Sequence, residues 1–261
     1  VCAGESVSVT NSSVGATSWN WNFGAGATPA TATGVGPHAV TYATGGTKTI
    51  TLSVNGGAAT STQTVVVNAP STPVVTVANN CGNSVLTTTG TGLLWSNGQT
   101  TPSITVTNAG TYTVTQTING CTSTAGSGVA APTAIPSTPV VTVANNCGNS
   151  VLTTTGTGLL WSNGQTTPSI TVTNAGTYTV TQTVNGCTST AGSGVAAPTA
   201  IPTAPVVTVA NNCGESVLTT TGTGLLWSNG QTTSSITVAS AGTYTVTQTV
   251  DGCTSAAGTG V

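Results

Sequence analysis

Most of this chain is one 66-residue text written three times, and that repetition constrains its fold more than any other feature. Cys81, Cys147 and Cys213 mark the same point in successive copies, and residues 71–136 and 137–202 differ at a single position, Ile118 against Val184. The third copy, 203–261, drifts mildly, with Glu215 for Asn149, Ser234 for Pro168, Ala239-Ser240 for Thr173-Asn174 and Asp251 for Asn185. Internal repeats decide architecture before any local signal does, because whatever one copy folds into must be folded three times side by side.

Each copy reads as a series of short strands. VVTVA (74–78), SVLTTT (84–89), GLLWS (92–96), SITVT (103–107), TYTVTQT (111–117) and the run from Cys121 are rich in β-branched residues and separated by turn residues. No segment has a helical period. In TYTVTQT the residues Tyr112, Val114 and Gln116 share one face and four threonines share the other, the alternation of a half-buried strand. Asn97-Gly98 and Asn119-Gly120 are dipeptides that accept positive φ at both centres of a type I′ turn, so each is expected to close a hairpin. Six or seven such strands predict a small antiparallel sandwich.

AAPTAIPSTP (130–139) and AAPTAIPTAP (196–205) join the copies. Closely spaced prolines favour extended, semi-rigid geometry, so the all-β chain is expected to form a rod of tandem antiparallel sandwiches, roughly 30 to 40 Å per repeat. The first 70 residues are a variant of the same plan. VCAGESVSVT aligns with NCGESVLTTT, which places Cys2 on the position of Cys213, and LSVNGGAATS aligns with QTVNGCTSTA, which puts Gly57 where Cys187 would be. Cys2 thereby loses the partner that the other copies retain. Four domains are predicted, 1–70, 71–136, 137–202 and 203–261.

Charge excludes several functions. The chain carries one Lys or Arg, three Asp or Glu and one His. Nucleic acid and anionic membrane surfaces need several cations, and Lys48 is the only one. No apolar run approaches the roughly 20 residues of a membrane span. Val1 lies directly against a strand-like segment with no export signal before it, which reads as part of a longer precursor. Seven cysteines without a CxxC pair fit an oxidising compartment, and so an extracellular or cell-surface location.

WNFGAGATP (21–29) with GPHAVTYATGGTKTITLSV (36–54) resembles the PKD domain, an immunoglobulin-like sandwich; Asn22 and Ala25 replace its two aspartates, and Lys48 its second tyrosine. WSNGQTTPSITV, AGTYTV and NGC resemble immunoglobulin-like modules found in tandem in very large secreted or surface proteins of Bacteroidota, including gliding and adhesion proteins exported by the type IX system. The resemblance implies a stalk or adhesive surface protein.

Against that background Trp21, Trp95, Trp161 and Trp227 are expected in the cores, and Tyr112, Tyr178 and Tyr244, each after Ala-Gly-Thr, resemble the tyrosine-corner residue. Cys81 with Cys121, Cys147 with Cys187 and Cys213 with Cys253 have one common spacing and are expected to clamp one sandwich each, for about 4 kcal/mol in the chain-entropy model. Cys2 is left as a free thiol, a link to upstream sequence, or an intermolecular bridge. Glu5, His38, Lys48, Glu215 and Asp251 are scattered over separate domains, so no catalytic set, metal site or cofactor site is expected, and a Lys48 isopeptide is a remote option.

These readings converge on a structural region of an extracellular filament, stalk or adhesin, self-associating or packing on neighbouring repeats, with no nucleic-acid partner and no membrane insertion. The rows Thr111, Thr113, Thr115 and Thr117 and their copies leave an ice-binding or glycan-binding module as an alternative, and an accessory, non-catalytic region of a secreted hydrolase as another.

Overall fold

The computed structural model describes residues 1–261, and the protein is all-β apart from one 3-10 turn at Asn55–Gly57. It divides into two compact units, Val1–Ala134 and Ile135–Val261, with the division inside the first proline spacer. Each unit holds two β-sandwiches with separate hydrophobic cores.

The first repeat shows the common plan. Thr76–Asn79, Ser84–Thr87 and Ser103–Val106 form one sheet with Ser84–Thr87 central; Leu93–Trp95, Gly110–Ile118 and Gly126–Ala130 form the other with Gly110–Ile118 central. All pairings are antiparallel. Strands one, two and four against three, five and six is the immunoglobulin arrangement. Alternation fills the space between the sheets: Leu86, Leu93, Trp95, Ile104, Val106, Val114 and Ala130 form one buried cluster. Each aliphatic side chain so buried stabilises the sandwich by about 1.5 to 3 kcal/mol. The second unit repeats the cluster around Trp161 and again around Trp227.

The first sandwich pairs Ser6–Val9, His38–Tyr42 and Ala27–Thr28 in one sheet, and Thr31–Thr33, Trp19–Asn22, Gly46–Val54 and Ala59–Val67 in the other. Its core is more aromatic, with Trp21, Phe23 and Tyr42 around Val40, Ile50 and Val67.

The two Asn-Gly dipeptides of the first repeat behave differently. Asn119 and Gly120 have φ of 50° and 80° and join Ile118 to Cys121 in a two-residue type I′ hairpin. At Asn97-Gly98 only the glycine has positive φ (85°), and the turn reverses Trp95 onto Gln99 without joining two neighbouring strands of a sheet. It carries the chain from Leu93–Trp95 in one sheet to Ser103–Val106 in the other, so the expected type I′ hairpin is absent there.

Candidate functional site

Glu5, Lys48 and His38 are absorbed into local structure, while Glu215 and Asp251 are exposed in the fourth sandwich. Glu5 accepts from the Cys2 backbone N–H at 2.9 Å, and Lys48 donates to Thr44 Oγ1 at 3.1 Å over the Tyr42 ring. His38 packs edge-on against Trp21 and Phe23. No three His, Cys, Asp or Glu side chains come together as a metal site would need. No helix is long and apolar enough to cross a membrane.

Four of the five tryptophans are interior, and Trp19 is partly exposed. Trp95, Trp161 and Trp227 are at most 2% exposed, and their indole N–H groups donate to the carbonyls of Thr101, Thr167 and Thr233 at 2.8–2.9 Å. Trp21, 3% exposed, donates to Gly34 O. A buried ring cannot stack on a sugar. Half-buried Tyr112, Tyr178 and Tyr244 donate to the carbonyls of Asn108, Asn174 and Ser240, four residues back. The threonine row is no flat lattice, because Thr115 stands opposite exposed Leu94 and Thr111 opposite exposed Val129.

The cysteines depart most from the sequence reading. Cys121 bonds Cys2, not Cys81, and Cys253 bonds Cys147, not Cys213. Cys2 is therefore no orphan. Cys81 and Cys187 are disulfide-bonded cysteines as well, and Cys213 is a free, exposed thiol. The correction has a geometric cause. Cys81 forms a parallel bridge with Thr133 beside Ala130, which pairs with Gly110 at the start of the central strand; Cys121 pairs with Ile118 at that strand's other end. The strand has nine residues, so the two cysteines lie on opposite ends of the sandwich, about 26 Å apart along it. A disulfide tolerates less than about 7 Å between Cα atoms.

What the bridges do follows from these two ends. Call the end where the linker enters a repeat its head and the end where the chain leaves its tail, with the first sandwich named by the same ends of its fold. Cys2 sits at the tail of the first sandwich, in a parallel bridge with Asn68 of the departing linker; Cys121 sits in the head hairpin of the next. Cys147 sits beside Thr199 at the tail of the third sandwich, and Cys253 in the head hairpin of the fourth. Each bond thus spans an inter-sandwich junction alongside the linker, with Cα atoms 5.3 and 5.5 Å apart.

Polar and steric contacts hold the linker where it leaves and where it enters a sandwich. Thr199 donates its N–H to Asn146 O and accepts from Gly148 N–H. On the head side the amide of Gln116 donates to Ser71 O, that of Gln182 to Ser137 O and that of Gln248 to Thr203 O, each at 2.7 Å. Just beyond, the linker lies directly on a glycine: a Cβ on Gly126 would stand 1.9 Å from Pro73 O, and one on Gly258 1.8 Å from Pro205 O. Gln116 shares a face of TYTVTQT with Val114, and its recurrence beside the Asx-Gly-Cys hairpin is the signal for this contact that the sequence carries.

Fold and site together define a chain of tandem immunoglobulin-like β-sandwiches whose distinguishing feature is the cross-linked junction. No protein-family model matches the sequence, and no curated protein matches it. Among solved structures the chain is similar to the N-terminal eight Ig domains of Down Syndrome Cell Adhesion Molecule, at 11% identity and TM-score 0.27, over 99% of this chain and 52% of that one. It is also similar to invasin, a bacterial integrin-binding protein, at 14% identity and TM-score 0.33, over 97% of this chain and 74% of that one. The chain spans about half the length of the first of these. At such scores neither likeness bears on ligand or mechanism.

Proposed function

We propose that this chain is a load-bearing repeat region of an extracellular filament, stalk or adhesin, and that its junction disulfides limit how far it can be stretched. The observation that carries the reading is that the cystines bracket the linkers instead of stitching the sandwiches internally. A pull on the first unit runs from Val1 through Cys2 and the sulfur bridge to Cys121. The residues between those cysteines, which are 119 positions apart, lie outside the covalent path. In the second unit the bypass covers 106 positions. A sandwich in either bypass can open without lengthening that path.

The rest of the molecule supports the same reading. Disulfides persist in oxidising compartments, which favours an extracellular or surface location. The cores carry structural tryptophans and tyrosines, Glu5, His38 and Lys48 are spent on local contacts, and Glu215 and Asp251 stand apart from them in sequence and in sandwich, so a mechanical role fits the residues better than a catalytic one. With domain limits of 1–70, 71–136, 137–202 and 203–261, the linker after the first sandwich and the spacer at 196–205 each lie at a bracketed junction, which supports the reading.

Single-molecule extension of the whole chain with and without reductant tests this. Reduction is expected to release about 430 Å of additional contour from the first bypass and about 380 Å from the second, at about 3.6 Å per residue. Equal extension under both conditions would remove the mechanical reading.

A further inference from the structure

The tail of the fourth sandwich carries the same turn as the cross-linked tail of the third. In the third sandwich, Thr142–Asn146 and Asn149–Thr153 flank Cys147-Gly148, with Asn146 paired to Asn149 and φ of 75° at Gly148. In the fourth, Thr208–Asn212 and Glu215–Thr219 flank Cys213-Gly214, with Asn212 paired to Glu215 and φ of 83° at Gly214. Cys213 is therefore presented by the turn that at Cys147 holds the hairpin cysteine of the following sandwich, and Cys2, at the aligned position of the first sandwich, holds one as well. Cys213 alone is free and exposed.

We propose that Cys213 is an open docking thiol that accepts the cysteine of an Asx-Gly-Cys hairpin at the head of a further sandwich of this type and joins it covalently to the tail of the fourth. This rests on the reading of the junction bridges as structural locks. The bond forms when the two thiols give up two protons and two electrons to a disulfide oxidant, which leaves as the dithiol.

The partner is specific, and a second copy of these residues does not supply it. The hairpin cysteines Cys121, Cys187 and Cys253 are all disulfide-bonded. The first sandwich's head hairpin has none: Val54 pairs with Ala59 where Ile118 pairs with Cys121, and the loop between is four residues long instead of two. The structural counterpart of the hairpin cysteine is thus Ala59, not the aligned Gly57. The acceptor is a sandwich whose hairpin carries an unpaired cysteine, whether later in the same polypeptide or in another chain.

The whole chain can be given such a head. Ala59→Cys with Gly57 and Ala58 deleted rebuilds the two-residue hairpin; Ala59→Cys alone keeps the native loop as a second variant. Under oxidised glutathione, the variants are expected to form a reducible ladder of head-to-tail oligomers that the native chain does not form. Peptide mapping should find Cys213 linked to the introduced thiol, and Cys213→Ser should abolish the ladder. Absence of the ladder from both variants overturns the proposal, and so does a ladder mapping to Cys213–Cys213 pairs. The same digests report the Cys2–Cys121 link: if it is missing, the lock reading itself has failed; if it is present without a ladder, only the docking role falls.

Discussion

The first sandwich and the three that follow are built on the same long central strand and its hairpin, but differ in the strands around it and at the head end. In the first, Gly46–Val54 and Ala59–Val67 form an unbroken nine-residue ladder from Val54–Ala59 to Gly46–Val67. In the repeats the same ladder is interrupted: Thr117 pairs with Thr122, but Val114 pairs with Gly126, which adds one residue to the last strand. Into that break come Gln116, which holds Ser71, and the linker at Pro73, which lies on Gly126. Counting back from the hairpin, Leu52 and Gln63 occupy these places in the first sandwich, and Gln63 is exposed. A sandwich that receives a linker thus trades a regular edge for a glycine seat, an amide clip and a hairpin cysteine.

The largest expected effect comes from exchanging the seat. Gly126→Gln puts a side chain where the Pro73 carbonyl lies, and should cost about 3 kcal/mol or expel the linker, as overpacking a tight contact does. The reverse exchange, Gln63→Gly, removes an exposed side chain from a strand and should cost only about 0.5 to 1 kcal/mol. Denaturant unfolding of the two variants checks the asymmetry; equal losses would mean that the glycine is incidental.

The clip gives a smaller effect. Gln116→Leu copies the first sandwich and leaves the Ser71 carbonyl without its protein partner. Ser71 is exposed and water can replace the amide, so a loss of about 1 kcal/mol is expected. Proteolysis in the linker at 69–72 should quicken, while the Trp95 core stays protected. A variant cleaved no faster than the native chain would show that the disulfide holds the junction alone.

How much of this was legible depends on the range of each interaction. Alternation in LLW and TYTVTQT located Leu93, Trp95 and Val114 in the core, and Asn119-Gly120 announced its own turn, because these signals are local. The cysteine partners hang on one connection. If six strands simply alternate in direction, the starts of the second and the last share an end, and Cys81 would meet Cys121. The chain turns at Asn97-Gly98 and runs back before crossing sheets, so Ser103–Val106 is antiparallel to Ser84–Thr87 and the parity changes. That reversal lies in SNGQTT, whose residues report a turn but not which sheet the chain joins next. The seat at Gly126 was illegible for a related reason, since it depends on a backbone 53 positions away that only the fold brings down upon it.

The smallest effect separates the sandwiches by their tyrosines. Tyr42 is 1% exposed and donates to Phe23 O at 2.7 Å; burial raises its pKa above the ordinary 10.0. The repeats bury no tyrosine to that degree, for Tyr112, Tyr178 and Tyr244 are half-exposed at the sandwich tails. A phenol that must stay neutral in the fold but ionises in the unfolded chain contributes stability that is complete below the unfolded pKa and is lost as pH rises through the folded one. The first sandwich should therefore weaken selectively as the pH is raised above about 10. Tyr42→Phe should flatten that dependence while losing about 1 kcal/mol at neutral pH with the hydrogen bond to Phe23. Thermal unfolding from pH 8 to 11, followed by hydrogen exchange resolved to each sandwich, reads both effects; an alkaline loss spread evenly over all four would show that the tyrosine core does not set the first sandwich apart.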